Sequence, residues 1–439
     1  MNRTRRCACR FILHGNFMRG VVALVSGTAG AQLIAVLASP LLTRFYTPED
    51  FGVLAVFVAL LGVLSVVSSL RYELAIPLSR TASGALSTLS LAVALNLVFS
   101  LTVGILVVAF QKPIADLFKI PLLANYLWIL PIGVIFIGTY RALTFWAVRE
   151  KSFRTIARTK LTQALCGVGT QLGIGALLAG PVGLIAGQVV GQSTGVIVLG
   201  RLLRQKFKLF HNAVRCRRII IAAITHSRFP KFDLLAAGIN TAAINLPQFL
   251  LAALFGPAIA GFYLLAYRVI SMPVAVFGQA VGQALYAHAR ESAANGTLYR
   301  FVCQLAGILL ALILVPMIVL FWYGEPLFSL IFGAEWNTAG VYAGWLILGA
   351  AVQFVYSPLS LMLLATNSQH INLAIQVFLL AAKSGAISFG FIQSDPLEAI
   401  IALALADVSG YFLGFILTLR QVKRYQCFIR IPESKNQAK

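Results

Sequence analysis

Arg268 is the residue that most strongly suggests chemistry, because it interrupts a long apolar segment that begins near Ala258. At a rise of ~1.5 Å per residue it would lie about 15 Å along a helix, near the middle of a bilayer core. A guanidinium at that depth costs from ~3 to more than 10 kcal/mol on different scales. We therefore expect Arg268 to face a hydrated cavity or an anionic partner and to be the centre of function. An arginine that only joins two helices is the alternative.

Two more ionisable residues, Lys383 and Asp407, fall at similar depth on consecutive apolar segments. They are candidates for substrate binding, but they could equally form a structural ion pair. If they pair, Arg268 remains as the net charge. An uncompensated arginine suits an anionic substrate such as a phosphate, because its guanidinium can hold two oxygens in a bidentate fork.

A second group of polar residues is predicted near the inner membrane interface and near the surfaces where two helical lobes would meet. Charged side chains at the interface can snorkel, so a structural role competes with a role in substrate binding. Amides can bind sugar hydroxyls, although they more often join helices. The candidates are Arg71, Glu73, Arg141, Lys231, Asp233, Gln32, Asn240, Asn245 and Gln248.

Motifs for catalysis, nucleotide binding and metal binding are absent from the sequence. There is no Walker sequence and no Ser/His/Asp constellation, and the five histidines are scattered. Cys7 and Cys9 form a lone C-x-C without further ligands. We therefore expect no catalytic residues, no cofactor and no metal, and we expect the six cysteines to form no disulfide.

The composition is that of a membrane protein. Of 439 residues, 59% are hydrophobic and 11% are charged, and the mean hydropathy is +0.87. Soluble domains carry about 25% charged residues, so a soluble globular protein is excluded. Apolar runs of about 20 residues predict transmembrane helices, whereas a transmembrane barrel would show alternating strands of about ten residues.

Twelve transmembrane helices are predicted, and they divide into two lobes of six. The predicted regions are a basic N-terminus (1–20), an N-lobe (21–203), a linker (204–232), a C-lobe (233–419) and a tail (420–439). The predicted helices span 21–42, 51–70, 84–110, 122–147, 157–179, 182–203, 233–254, 258–287, 301–322, 338–365, 371–392 and 397–419.

The distribution of basic residues predicts the orientation. The two termini and the loops on their side of the membrane contain 30 of the 35 Lys and Arg residues, and the opposite loops contain three. Because basic loops stay in the cytoplasm, both termini are expected there. The formal net charge of +22 is thereby explained by topology and by contact with anionic lipids, so we expect no nucleic-acid partner. In the linker, Phe207, Phe210 and Val214 recur at the spacing of an interfacial helix, although a solvated linker fits almost as well.

Short repeats indicate that the two halves are related. Pro48 and Gly52 open the second helix with the spacing that Pro257 and Gly261 repeat in the eighth. On the sixth helix, glycines recur every fourth residue and predict the close approach of a neighbouring helix; they are Gly183, Gly187, Gly191 and Gly195. A six-plus-six layout with parallel halves favours a transporter with its site between two lobes.

Several runs resemble a known family. They are GTAGAQLIAVLASPLLTRFYTPEDFGVLAVF (27–57), LRYELAIPL (70–78) and AGFYLLAYRVISMPVAVFGQAVGQALYAHA (260–289). They resemble the polysaccharide transporter, or O-antigen flippase-type, family of the multidrug/oligosaccharidyl-lipid/polysaccharide exporter superfamily. The resemblance implies an all-α protein whose lobes form a V-shaped central cavity lined by cationic residues, a role that Arg268 fits.

The same resemblance implies a function. Such a flippase moves an undecaprenyl-pyrophosphate-linked oligosaccharide across the bacterial inner membrane by alternating access, for O-antigen, capsule or exopolysaccharide synthesis. Its partners would be the lipid-linked substrate, the bilayer and polymerase or assembly proteins. A multidrug or small-solute antiporter is disfavoured by the net charge of +1 that Arg268, Lys383 and Asp407 give. A membrane glycosyltransferase or polymerase would need longer outer loops, and a non-transporting scaffold stays open.

Overall fold

Twelve long helices make up the computed structural model, which describes residues 15–79, 81–204, 216–227, 229–366 and 368–434. The twelve predicted helices are all present. They are α1 (Gly15–Leu42), α2 (Pro48–Val67), α3 (Ala82–Leu117), α4 (Leu130–Arg149), α5 (Phe153–Gly175), α6 (Val182–Arg204), α7 (Leu234–Phe255), α8 (Pro257–Ala294), α9 (Leu298–Phe332), α10 (Asn337–Ser360), α11 (Gln369–Ile392) and α12 (Pro396–Ser434).

Eleven of these helices are long and apolar enough to cross a membrane, judged by length and composition over the described residues. The exception is α5, which carries Arg154, Arg158 and Lys160 in its first two turns and several Thr and Gln residues beyond them. Although α5 is polar, it packs along both α1 and α6, so it lies inside a helical unit.

The chain forms two compact units. The first comprises the chain up to Tyr46 together with Val53–Asn245, and the second comprises Thr47–Gly52 together with the chain from Leu246 onward. The division therefore passes through α2 and through α7. The predicted regions 21–203, 204–232 and 233–419 were drawn from hydropathy and charge, and they stay a prediction.

In the first unit, α5 packs against the row of glycines on α6. A Cβ added at Gly187 would lie 2.6 Å from the carbonyl oxygen of Gly167, and one at Gly191 would lie 3.0 Å from that of Gln163. The first distance is too short for a Cβ unless the backbone shifts, and the second is tighter than ordinary contact, so glycine allows the two backbones to approach this closely. The predicted close approach on the sixth helix is confirmed.

In the second unit, the two repeated Pro-x-x-x-Gly turns contact each other. A Cβ added at Gly52 would lie 2.8 Å from the Cα of Pro257, and one at Gly261 would lie 2.9 Å from the carbonyl carbon of Pro48. The first turns of α2 and α8 thus cross in direct backbone contact. Beside this crossing, Phe51 packs edge-on against buried Trp336, with ring centroids 4.8 Å apart.

The third helix of each half, α3 and α9, is kinked at an equivalent place. The backbone leaves helical geometry at Phe110 and at Tyr323, each three residues before a proline, Pro113 or Pro326. A proline ring clashes with the preceding turn, so both kinks have the same cause. The predicted end of this helix at residue 322, with an outer loop up to the next helix at 338, is therefore wrong, because α9 continues through the kink to Phe332.

Several helices also extend beyond their predicted ends. α8 continues to Ala294 and α12 to Ser434, so most of the predicted tail at 420–439 is helical. No glycine or proline interrupts residues 283–294 or 415–431, whereas hydropathy falls there. Hydropathy marks where a helix leaves an apolar environment, not where it ends.

The described part of the linker contains one short helix, Cys216–Thr225, here called the linker helix. It packs against α3, and it is followed by a π-helical turn at Phe229–Asp233 that leads into α7. The predicted interfacial pattern of Phe207, Phe210 and Val214 lies outside the described residues, as do residues 1–14 of the basic N-terminus.

Candidate functional site

Arg268 lies in the middle of the apolar span Pro257–Gly278 of α8, as the sequence predicted. It is about 16 Å from the start of the helix at ~1.5 Å per residue. The side chain is partly buried and forms no hydrogen bond or ion pair with any residue in the described part of the chain. Within the described part of the chain, the five N–H donors of Arg268 are therefore uncommitted.

Lys383 and Asp407 form an ion pair between α11 and α12. The Lys383 Nζ lies 2.8 Å from Asp407 Oδ1, and the two side chains are only 15% and 14% exposed. The predicted pairing is thus present in the structure. Each charge compensates the other, and Arg268 is left as the net charge of this group of three residues.

Three tyrosines lie near this ion pair, a fourth packs against one of them, and sequence reasoning missed all four. Tyr263 and Tyr267 stack on α8 with ring centroids 5.7 Å apart, and Tyr356 lies 5.9 Å from Tyr411. Tyr267 and Tyr411 are within electrostatic range of Asp407. The i, i+4 spacing of Tyr263 with Tyr267 and of Asp407 with Tyr411 was the available signal, because residues so spaced share a helix face.

The loop after α2 holds the charge cluster of the first unit. Arg71 donates from Nε to Asp233 Oδ2 at 2.7 Å, and its Nη1 lies 3.6 Å from Glu73 Oε1. Glu73 is fully buried and also accepts a hydrogen bond from the Ser69 hydroxyl. Leu70 and Arg71 both adopt left-handed backbone conformations, with φ of 49° and 64°. Such conformations cost non-glycine residues ~1–2 kcal/mol each, so the contacts of the loop must hold them in place.

Two arginines of α4 donate to backbone carbonyls, one in the last turn of α2 and one in the loop that follows it. Arg141 donates to the Ser65 carbonyl at 3.0 Å and lies within electrostatic range of Glu73. About two turns further on, Arg149 donates to the carbonyl of Ser79. Arg141, a predicted substrate-binding candidate, thus contacts the end of α2, and Arg149, which was not a candidate, contacts the loop.

Tyr72 connects this loop to the linker helix. Its hydroxyl donates to the Ala223 carbonyl at 3.1 Å, and burial raises the pKa of Tyr72 above its ordinary value. Asp233, at the end of the π-helical turn, makes the second connection through Arg71. The loop, the linker helix and the start of α7 are thus held as one assembly.

The remaining candidates are spread over both units. Asn245 donates to the Thr241 carbonyl within α7 at 2.8 Å, and Asn240 is exposed. Gln32 and Gln248 each have a buried side-chain oxygen without a hydrogen-bond partner among the described residues. The Lys231 side chain lies outside the described residues, although its backbone forms part of the π-helical turn.

The structure therefore joins the candidates into two groups, Arg71 with Glu73, Asp233 and Arg141, and Lys383 with Asp407. It does not join the amides to either group by a hydrogen bond within the described residues. Among the described residues, no group of three or more His, Cys, Asp or Glu could hold a metal ion. The side chains of these groups can bind anions and hydroxyl groups.

Comparison with known proteins identifies the class. A family profile described as "Polysaccharide biosynthesis protein" matches residues 41–340, which include Arg268 and the loop cluster. The succinoglycan biosynthesis transport protein ExoT of Rhizobium meliloti (strain 1021) is 24% identical over 391 residues, covering 87% of this chain and 75% of ExoT.

Solved structures show the same fold. The lipid II flippase MurJ in an inward closed conformation has a TM-score of 0.71 at 11% identity, covering 93% of this chain and 91% of MurJ. An inward-facing multidrug resistance MATE family transporter of the MOP superfamily has a TM-score of 0.61 at 13% identity, covering 92% of this chain and 95% of that one. These relatives are transporters and flippases, not catalysts.

Proposed function

We propose, since the chain belongs to the polysaccharide biosynthesis protein family of multi-pass membrane transporters, that it is a flippase for a lipid-linked oligosaccharide. It would carry an undecaprenyl-pyrophosphate-linked repeat unit across the bacterial inner membrane by alternating access, for the synthesis of O-antigen, capsule or exopolysaccharide. Its substrate partner is then the lipid-linked oligosaccharide itself, and polymerase or assembly proteins would receive the product.

Arg268 is the observation that carries this proposal. It is a cation in the middle of an apolar span, without an anionic partner in the described part of the chain. A pyrophosphate has to cross the apolar core while its lipid stays in the bilayer, so it needs a cation at mid-depth. The guanidinium supplies a bidentate contact to phosphate oxygens that a lysine cannot reproduce.

The charge balance of the Lys383–Asp407 pair supports the same proposal in a second way. Because that pair is internally neutral, it leaves the positive charge of Arg268 uncancelled. A carrier for cationic drugs would need the opposite balance, with an uncompensated carboxylate at mid-depth. The charge balance therefore favours an anionic substrate over the antiporter alternative.

The test replaces Arg268 in a strain whose own copy of the gene is deleted. Arg268→Ala is expected to reduce surface polysaccharide at least tenfold and to cause the lipid-linked intermediate to accumulate, while Arg268→Lys retains part of the output. Membrane levels are matched by immunoblot. Arg300→Ala, which removes an exposed arginine at the start of α9, is the control and should export normally. Wild-type output from Arg268→Ala would refute the role of this charge.

We also propose that both termini face the cytoplasm, because the loops on their side carry 30 of the 35 basic residues. In a cysteine-free background, an impermeant thiol reagent should label a cysteine at position 334 in intact cells. A cysteine at position 217 in the linker helix should react only after permeabilisation. The reverse pattern would contradict the orientation.

A further inference from the structure

A row of polar side chains in the first unit contains a second uncompensated cation. It is called the α5 polar row and consists of Thr28 and Gln32 on α1, Tyr140 on α4, Lys160 and Gln163 on α5, and Gln192 on α6. Only Gln32 was among the candidates. Lys160 lies within the predicted helix 157–179 and was not a candidate.

Lys160 lies about 10 Å along α5, seven residues after Phe153, and its side chain is partly buried. Its Nζ donates to the Thr28 hydroxyl oxygen at 2.8 Å, and that hydroxyl donates in turn to the Leu24 carbonyl at 2.9 Å. No carboxylate in the described part of the chain pairs with Lys160. The ammonium therefore keeps two of its three donors for other contacts.

The packing of α1 on α5 places Gln32 at the level of Gln163. A Cβ added at Gly27 would lie 2.6 Å from Ala157, and one at Gly30 would lie 2.8 Å from Leu161, so the two helices run parallel in a fixed register. Gln32 comes four residues after Thr28, and Gln163 comes three residues after Lys160, so each lies about one turn beyond the Thr28–Lys160 contact on the same face of its helix. Lys160 and the amides of Gln32 and Gln163 thus lie along one line of contact between α1 and α5.

The other side of Gln163 is bordered by α6 and α4. Gln163 donates from Nε2 to Gln192 Oε1 at 3.3 Å. Both Gln163 and Tyr140 reach over Gly195, where an added Cβ would lie 2.9 Å from Gln163 Cδ and 2.7 Å from Tyr140 Cδ2. The Tyr140 ring and the Gln163 amide are therefore neighbours, which extends the row to four helices.

Two buried polar atoms of the row have no hydrogen-bond partner among the described residues, Gln32 Oε1 and Tyr140 Oη. Leaving such an atom unsatisfied is unfavourable, so packing alone does not favour this arrangement. A ligand that donates hydroxyl groups would satisfy both atoms. A ligand that also carries a negative charge would satisfy Lys160.

From this arrangement we infer that the α5 polar row is a binding site for an anionic sugar group, with Lys160 contacting the anionic oxygens and Gln32, Tyr140 and Gln163 contacting hydroxyls. The anionic group is a carboxylate on a sugar or a phosphate. This inference rests on the proposed function, and it assigns part of the substrate's recognition to the first unit. It also explains why α5 is more polar than a helix in the interior of a membrane protein needs to be.

The test uses purified full-length protein in detergent and measures binding of three probes by thermal stabilisation. The probes are glucuronate, inorganic phosphate and glucose. Glucuronate should raise the melting temperature of the wild type, and Lys160→Gln should weaken its apparent affinity at least tenfold. Lys160→Arg keeps the charge and should stay within about threefold of the wild type.

The matched control is Arg158→Gln, which removes an exposed cation two residues away on the same helix and should stay within twofold of the wild type. Phosphate binding that depends on Lys160, without glucuronate binding, would support the site and identify phosphate as the ligand group. The inference fails if neither anion binds, if Lys160→Gln leaves both affinities unchanged, or if glucose binds as well as glucuronate. The assay needs no lipid-linked substrate, so its failure is distinct from a failure of the export test with Arg268.

Discussion

The two charge clusters, one around Arg71 and one formed by Lys383 and Asp407, stabilise their buried charges in different ways. In the first unit, charges gather at a strained loop, where Arg71 bonds Asp233 and the arginines of α4 bond backbone carbonyls. In the second unit, Lys383 and Asp407 face each other from the middle of two helices. The first cluster combines side-chain pairs with bonds to backbone carbonyls, and the second uses only side chains.

Depth along the helices explains the difference. A loop and the ends of helices expose carbonyl groups that lack an intrahelical partner, so an arginine nearby finds acceptors at no cost to the fold. In the middle of a helix every carbonyl is already bonded, and a charge there needs a dedicated partner. Arg268 and Lys160 stand out because each lies within a helix without a carboxylate partner in the described part of the chain.

Breaking the Lys383–Asp407 pair should have the largest effect on stability. Removing one partner leaves a buried charge uncompensated, which costs ~3–5 kcal/mol, whereas removing both costs less. We therefore expect Lys383→Ala and Asp407→Ala each to destabilise the protein more than the double variant does. The free energies of unfolding are measured by SDS titration of the detergent-solubilised protein.

A double-mutant cycle then separates pairing from packing. A coupling energy of at least about 2 kcal/mol would agree with the distance of 2.8 Å between Nζ and Oδ1. Additive losses would show that the two charges are stabilised independently. That result would contradict the difference drawn between the two clusters.

Much of this contrast was predictable from the sequence, and the reasons are physical. The apolar runs predicted the twelve helices, because burial in a bilayer demands a fixed length of apolar residues. The Lys383–Asp407 pair followed from depth and opposite charge. The glycine row on α6 followed from its spacing of four residues. Each of these inferences needs only the local sequence and the free-energy cost of placing a given residue type in the bilayer or in a packed interface.

Other features depend on contacts between distant segments, and the sequence does not show them. Arg71 bonds Asp233 across 162 positions, and nothing in either neighbourhood predicts that contact. The tyrosines around Asp407 have apolar rings that fit any packed helix, so their hydroxyls went unnoticed. Lys160 falls inside the predicted helix 157–179, but its bond to Thr28 joins residues 132 positions apart, so the sequence does not show it.

Neutralising Glu73 should have an intermediate effect and would show how far the loop cluster depends on charge. Glu73→Gln keeps the shape but removes the negative charge that Arg71 and Arg141 share. Hydrogen bonds to charged groups contribute ~1.5–3 kcal/mol, so a loss in that range is expected in the same SDS titration. Glu335→Gln makes the same change at an exposed residue and should leave the free energy of unfolding unchanged. If Glu73→Gln also leaves the free energy of unfolding unchanged, the backbone contacts alone hold the loop.

Removing the charge of Asp233 should have the smallest effect, although its contact with Arg71 is short. The Asp233 side chain is 42% exposed, and solvent weakens such a pair to ~0.2–1 kcal/mol. Asp233→Asn should therefore cost less than 1 kcal/mol at low salt, and the cost should fade as salt screens the pair. Arg71 would keep Glu73 as its remaining partner. A loss above 2 kcal/mol that salt leaves unchanged would instead show that Asp233 anchors the left-handed loop, and that the first cluster relies on a dedicated pair as the second does.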